Sequence, residues 1–311
     1  MRIIRDHQFT PEADRGATAA IGNFDGVHLG HQAVISLTAK MARSLGAPNG
    51  IVTFEPHPRQ HFAPEAPAFR LMNAAARANR LKKLGVSRLF EISFNAALAG
   101  LSAQEFALHV LSEGLGLRHV VVGQDFRFGK GREGTAEALT EFGKELGFGV
   151  TIAPLLAAGG VEVSSTRIRE ALSAGRPEDA AQMLGHLHRI EGEVIRGDQR
   201  GRELGYPTAN MGLEGLHLPK FGVYAVRVDV LGGAAPQTFD GVASLGVRPM
   251  FGENVPNLET FLFDFEGDLY GKTLSVALVA FLRPEERFET VDALIAQMDR
   301  DSNAARAALA E

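Results

Sequence analysis

His28 and His31 stand three residues apart in a stretch that also carries Gly22, Asn23, Phe24, Asp25, Gly26 and Gly30. At that spacing two side chains share one face of a helix. Paired imidazoles beside a phosphate can donate hydrogen bonds to oxygens that gain charge during transfer. Glycines 22, 26 and 30 let a phosphate approach the backbone closely. The bland alternative is a turn with two solvated histidines; a single glycine-flanked histidine favours it, whereas the whole stretch favours phosphate chemistry. A second stretch, 197–210, combines Gly197, Gly201, Arg202, Gly205, Pro207, Thr208 and Asn210. Glycines and arginines so mixed suit a loop that covers phosphates, and Thr208 and Asn210 offer two oxygen ligands to a hard cation such as Mg²⁺. A plain surface turn is the competing reading. In 163–169 the order Ser165, Thr166, Arg167, Arg169 opens a helix with hydroxyls and two arginines. Helix capping accounts for the hydroxyls. Arginines in a first turn oppose the helix dipole and make sense if an anion lies between them. Glu259 is a carboxylate in a run, 258–263, otherwise apolar apart from Thr260. It must pair with a cation or serve chemistry.

The elements around these residues change character near residue 184. An apolar run at 17–21 reads as a buried strand, and Val34, Ile35, Leu37, Thr38, Met41 and Leu45 recur at helical spacing over 32–45. The histidine stretch therefore lies between strand and helix, where free N–H groups and the helix dipole favour an anion. Strands at 50–54, 88–93, 119–123 and 149–153 alternate with helices at 74–84, 103–113, 135–146 and 165–174. Such alternation predicts a doubly wound parallel α/β sheet with ligands at its C-terminal strand ends. Two more stretches fall at those ends: Phe54, Pro56 and Pro58 with Phe62 behind them, and 123–129 with Asp125 and Phe128. Beyond residue 184, alternating runs at 189–196, 222–230, 241–246, 258–264 and 274–282 predict a small antiparallel β-barrel. One or two amphipathic helices at 291–309 close the chain. The expected domains are 1–183 and 184–311.

At 311 residues the chain can bury two cores. Its 32 basic and 37 acidic residues, net charge −5, give no footprint for nucleic acid. The absence of cysteine excludes disulfides and thiolate metal sites. Residues 1–16 lack the apolar core of a signal peptide, and no apolar run reaches the ~18 residues of a membrane span. The expectation is a cytoplasmic protein that binds small molecules and no membrane; self-association is left open.

The string from Gly22 to His31 resembles the HxGH signature of nucleotidyltransferases, here His28-Leu29-Gly30-His31. In its fuller form it is similar to one family, the prokaryotic bifunctional riboflavin kinase/FMN adenylyltransferases, or FAD synthetases. The stretch 197–210 resembles the riboflavin kinase signature; 246–251, 258–265, 268–271 and 281–288 resemble later kinase segments in the same order. The resemblance implies ATP, riboflavin and FMN as substrates with Mg²⁺ as cofactor. It implies that Ser165, Thr166 and Arg169 hold the triphosphate with His28 and His31, and that Asp125 contacts the nucleotide. Phe54, Pro56, Pro58, Phe62 and Phe128 would flank the flavin. Gly197, Gly201, Arg202, Gly205, Pro207, Thr208, Asn210 and Arg283 would serve the kinase site, with Thr208 and Asn210 on the metal. Glu259 would be the base that takes a proton from the ribityl hydroxyl. Two positions depart from the family pattern: Met250 replaces Thr, and Ser244 replaces Asn. The alternatives are another HxGH cytidylyl- or adenylyltransferase with an unrelated barrel, and a non-catalytic flavin-binding module.

Overall fold

A computed structural model describes residues 1–154, 157–158, 161–197, 205–233, 237–250 and 253–310. It comprises two compact units, Met1–Pro67 with Arg77–Val163, and Ala68–Ala76 with Ser164–Glu311.

The first unit is built on six parallel strands: β1 (Arg2–Ile4), β2 (Thr18–Ile21), β3 (Asn49–Glu55), β4 (Arg88–Ser93), β5 (His119–Gly123) and, past the short β6–β7 hairpin (Arg127–Phe128 and Gly134–Thr135), β8 (Gly149–Ala153). Their order, β1-β4-β3-β2-β5-β8, starts from β2 and runs outward in both directions. The sheet is thus doubly wound, and its switch point lies between β2 and β5, where such sheets bind ligands. Every residue of β2 is buried, as two covered faces require. The helix after it, Leu29–Leu45, turns Ile35, Thr38 and Ala42 inward and stops at Gly46, whose φ of 60° is left-handed. It begins earlier than the expected 32 because His28 takes the N-cap position; apolar periodicity starts only after that first turn. The expected 103–113 helix is a three-residue α turn, Ala103–Glu105, running into a π-wound stretch, Phe106–Gly114. Strand β1 was missed because three residues, two of them exposed, carry no alternation signal. Its support is ionic: fully buried Asp14 pairs with Arg2 at 2.8 Å and Arg88 at 2.6 Å.

The short hairpin β9–β10 (Ala157–Ala158 and Val161–Glu162) ends the first unit. The second unit holds β11 (His188–Glu193), β12 (Ala209–Gly212), β13 (Gly222–Val230), β14 (Gln237–Met250), β15 (Glu253–Leu262) and β16 (Thr273–Arg283). These six are antiparallel in the order β11-β16-β13-β14-β15-β12. The sheet nearly closes into a barrel: past the end of β11, Ile195 bridges to Asn210 of β12 and donates its N–H to the Asn210 carbonyl at 2.9 Å. Met211, Tyr224, Val226, Val228, Leu245, Leu258, Val276 and Leu278 fill it. One helix, Val291–Leu309, capped by Thr290, packs Ala305 and Leu309 against Ala225 and Phe263. Helices Ser165–Ser173 and Pro177–Leu184 also belong to this unit; Ile168, Ala171, Leu172, Ala180 and Leu184 share a core with Leu71. Among the described residues no helix is long and apolar enough to cross a membrane.

Candidate active sites

The first site is the loop 22–28 at the end of β2. Its backbone is unusual: Phe24 and Val27, neither a glycine, have φ of 51° and 45°. A β-branched residue in the left-handed region is strained, and such strain collects at functional sites. The loop is held from below. Thr53 Oγ1 donates to the Asn23 carbonyl at 3.3 Å, Arg77 Nη1 to the same oxygen at 3.4 Å, and Gln32 Nε2 to the Val27 carbonyl at 2.9 Å. Phe24 and Asp25 are buried, with Gly22 and Asn23 half-exposed. Phe24 lies tilted against His31, centroids 5.1 Å apart.

The two histidines do more than share a face: their rings stack, centroids 3.6 Å apart and planes within 15°. Gly30 makes this possible, since a Cβ there would lie 3.1 Å from the His28 ring. His28 Nδ1 accepts the backbone N–H of His31 at 3.3 Å, which leaves the ring proton on Nε2. Burial pushes the His28 pKa down to about 4. Burial first, and His28 second, hold His31 well below its ordinary value. Both rings are therefore neutral donors at pH 7. His31 Nδ1 is buried with no hydrogen-bond partner among the described residues.

Around the ends of β3, β4 and β5 runs a chain of rings. Phe54 meets Phe94 at 5.7 Å and Phe106 at 6.3 Å; Phe94 meets Phe62 at 5.7 Å and His61 at 5.4 Å. Phe128 contacts Phe106 at 5.7 Å and stacks on Phe126 at 5.3 Å. Phe54, Phe62 and Phe128, assigned from sequence, are thus joined through Phe94 and Phe106, and Phe126 extends the chain beyond Phe128; sequence reasoning assigned no role to these three. Phe62 is 69% exposed and Phe128 only 7%, so Phe62 and half-buried Phe126 offer more ring surface than Phe128. Pro56 follows a cis peptide and Pro58 opens the short helix Pro58–Phe62, capped by His57. Asp125 is exposed past the end of β5; a Cβ on Gly123 would lie 2.9 Å from its Oδ1.

Ser165, Thr166 and Arg169 belong to the second unit. Ser165 and Thr166 open helix Ser165–Ser173, capped by Ser164, whose Oγ accepts from Arg167 N at 3.4 Å. Arg169 Nε donates to the Phe69 carbonyl at 2.5 Å, and its guanidinium lies 5.4 Å from the Phe69 ring centre.

The barrel carries the other site. Glu259 on β15 is in register with Asn210 on β12 and with Ser244 on β14. Asn257, two residues before Glu259 and so on the same face, donates from Nδ2 to Asn210 Oδ1 at 2.9 Å and to Glu259 Oε1 at 3.2 Å. The period-2 spacing of two polar residues in an apolar strand was the overlooked signal for Asn257. Thr208, Ser244, Glu259, Phe261 and Arg283 line a cavity of about 330 Å³. Gly197 allows the Asn210 amide its place: a Cβ there would lie 2.6 Å from Asn210 Nδ2. Gly205 has φ of 84° and Pro207 is exposed; Gly201 and Arg202 lie outside the described residues. Arg283 is held by Asp301, with bonds of 2.8 and 2.7 Å, and donates to the Pro284 carbonyl. It fastens the C-terminal helix to the barrel, so any ligand role for its guanidinium has to be shared with Asp301.

Among the described residues no three His, Asp or Glu side chains gather as metal ligands. A hard cation needs fewer: Mg²⁺ is usually held by one or two protein oxygens plus substrate phosphates. Asn210 Oδ1 keeps a second lone pair after accepting from Asn257, and Thr208 supplies a hydroxyl. The donor set fits.

A histidine pair at the switch point of a parallel sheet and a carboxylate on an antiparallel barrel give one chain two separate candidate sites of transfer chemistry. Comparisons with known proteins name both. The FAD synthetase family matches residues 10–167 and the riboflavin kinase family residues 184–309. Curated bifunctional riboflavin kinase/FMN adenylyltransferases are similar over nearly the whole chain. The Pseudomonas fluorescens protein is 43% identical over 99% of this chain and 97% of its own. That of Escherichia coli K12 is 38% identical over 98% and 97%, and that of Bacillus subtilis 34% over 98% and 96%. A crystal structure from Streptococcus pneumoniae, described as a macrolide-efflux protein, superposes with a TM-score of 0.83 at 31% identity over 98% of both chains. The chain belongs to the bifunctional riboflavin kinase/FMN adenylyltransferase family, and its two activities are riboflavin phosphorylation to FMN and adenylylation of FMN to FAD.

Proposed function

We propose that the two reactions run on the side chains described above, the kinase on the barrel and the adenylyltransferase on the HxGH loop. The observation that carries this reading is the Asn210–Asn257–Glu259 cluster beside the cavity. In the kinase site Glu259 takes the proton of the riboflavin 5′-hydroxyl. The freed oxygen attacks the γ-phosphorus of ATP, the bond to the β-phosphate oxygen breaks, and ADP leaves. Thr208 and Asn210 would hold Mg²⁺, which screens phosphate charge when bound. Gly197, Gly201, Arg202, Gly205 and Pro207 would serve to cover the phosphates, and Arg283 shapes the cavity by fixing the C-terminal helix.

In the adenylyl site a phosphate oxygen of FMN attacks the α-phosphorus of ATP and pyrophosphate departs. His28 and His31 donate from neutral rings to oxygens that gain charge. Gly22, Asn23, Phe24, Asp25 and Gly30 shape the loop; Ser165, Thr166 and Arg169 take the triphosphate and Asp125 the nucleoside. Phe54, Pro56, Pro58 and Phe62 flank the flavin, with Phe128 behind them.

We assign residues 1–183 and 184–311 as the functional domains and place the enzyme in the cytoplasm, where ATP is supplied. Self-association is tested by sedimentation velocity. The deciding experiment incubates the protein with ATP, Mg²⁺ and riboflavin and separates flavins by chromatography. Glu259→Gln should stop at riboflavin and His31→Ala at FMN. FMN formation at the parent rate by Glu259→Gln would remove the base from Glu259.

A further inference from the structure

His217 lies in the loop before β13, within the segment matched to riboflavin kinases. The kinase cavity does not include it among its lining residues. Its contacts run instead to the helix that carries Arg169. His217 Nε2 is 3.1 Å from the Arg169 carbonyl oxygen and 3.1 Å from Ser173 Oγ. A ring nitrogen facing a carbonyl carries a proton, so Nε2–H donates to the backbone of Arg169 itself. The backbone N–H of His217 donates to the Arg70 carbonyl at 2.8 Å, and Arg70 bridges in parallel to Leu216. The neighbouring Phe69 carbonyl accepts Arg169 Nε. His217 therefore grips both supports of Arg169, its own main chain and the extended segment whose Phe69 carbonyl holds its guanidinium. Lys220 N adds a bond to the Leu172 carbonyl at 2.9 Å, one turn on.

Such a clamp restricts two motions. The apolar core of Ile168, Ala171 and Leu172 sets which face of the helix is inward. Apolar packing is non-directional, however, and leaves small axial slides and rolls cheap. A hydrogen bond to a chosen carbonyl is directional and weakens steeply off its line. Placement errors near 1 Å in a group that aligns a reacting phosphate can cost about 10²-fold.

We propose that His217 is a positioning residue for adenylyl transfer: a side chain of the kinase-matched segment that fixes Arg169 against the triphosphate of ATP. This rests on the assignment of Arg169 to the ATP phosphates. His217 touches no reacting atom; it acts through the Arg169 backbone and the segment 69–71.

The test compares His217→Gln and His217→Leu in the full-length enzyme. Both fill similar space, but only glutamine can donate from the position of Nε2. Arg169→Ala is measured in parallel, with KM for ATP, KM for FMN and kcat of adenylylation recorded separately and riboflavin phosphorylation as control. His217→Leu should raise the adenylylation KM for ATP by about tenfold, the scale of one lost directional hydrogen bond. KM for FMN and riboflavin phosphorylation should stay near parent values, and His217→Gln should recover most of the loss. Equal behaviour of Gln and Leu overturns the proposal, as does a fall in both activities together, which marks a general structural role. If Arg169→Ala impairs adenylylation while His217→Leu does not, the proposal fails and the assignment of Arg169 stands. If Arg169→Ala leaves adenylylation intact, that assignment fails and the proposal with it.

Discussion

In the parallel-sheet unit the side chains we propose for chemistry are two neutral imidazoles at the mouth of a buried strand; in the barrel they are a carboxylate and two amides on adjacent strands. The difference follows the nucleophiles. FMN brings a phosphate that is already anionic, so the adenylyl site needs donors for developing charge and no strong base. Riboflavin brings a primary hydroxyl, a poor nucleophile at neutral pH, so the kinase site needs a proton acceptor. Burial matters most in the parallel-sheet site. It strips charge from His28 and His31, while in the barrel half-buried Glu259 accepts a hydrogen bond from Asn257.

The sharpest way to break this contrast is Glu259→Gln. The amide keeps the shape and removes the base, and a positioned base is worth about 10²–10⁴-fold. Riboflavin phosphorylation should fall by that much, with ATP binding little changed and adenylylation of supplied FMN intact. Phosphorylation near the parent rate would place the base elsewhere. Unfolding of the barrel, seen as lost β-sheet circular dichroism, would make Glu259 a structural partner.

His31→Ala tests the other side. Removing one such donor should lower FAD formation by about 10²-fold or more. FMN formation from riboflavin should persist, because Glu259 and its neighbours are untouched. A folded variant that loses both activities equally would erase the distinction between the sites.

A smaller effect sharpens where the kinase half begins. A fragment from Leu184 should still phosphorylate riboflavin, since the barrel strands and the C-terminal helix all lie beyond that residue. Leu184, however, is fully buried against Ile168, Ala171, Leu172 and Ala180. Each large apolar side chain in such a cluster contributes about 1.5–3 kcal/mol when buried. A fragment from Ser164 should therefore melt at least ~5 °C higher than one from Leu184. Equal melting temperatures would mean that the two helices add nothing to the barrel; an inert but folded Leu184 fragment would move the boundary.

Much of both sites was legible because it is local in sequence. The HxGH string, the 197–210 string and the aromatic and proline positions at strand ends are contiguous, and strand–helix alternation predicts where they fall. Strand β12 was invisible: four residues, Ala209–Gly212, give no alternation to read, yet they put Asn210 opposite Glu259. Phe94 was missed because its partners Phe54, His61 and Phe62 come from other elements, and Asn257 because its spacing to Glu259 on the same strand was overlooked. The stacking of His28 on His31 was likewise beyond reach, because it depends on His28 occupying the N-cap position and on Gly30 leaving room. Composition and spacing locate donors; tautomer and burial emerge only when the turn is built.

The finest test of the contrast is the charge of the histidine pair itself. If the pair works as neutral donors, His28 should titrate near pH 4 and show the Nε2–H tautomer above it, because Nδ1 accepts the His31 N–H. Nitrogen-15 chemical shifts of the rings read both properties directly. The same shift has a consequence for stability. An unfolded histidine titrates near pH 6.5, so below that pH the unfolded state binds a proton that the folded state refuses until about pH 4. Above pH 6.5 neither state is charged and His28 contributes no slope. As pH falls through the window between, stability drops, by about 2 kcal/mol at pH 5 from this one group. His28→Gln has no proton to gain and should lose less stability than the parent between pH 8 and pH 5, measured by urea unfolding followed by circular dichroism. A ring that titrates near 6.5, with identical pH slopes for parent and variant, would make His28 an ordinary solvated imidazole and dissolve the difference between the two sites.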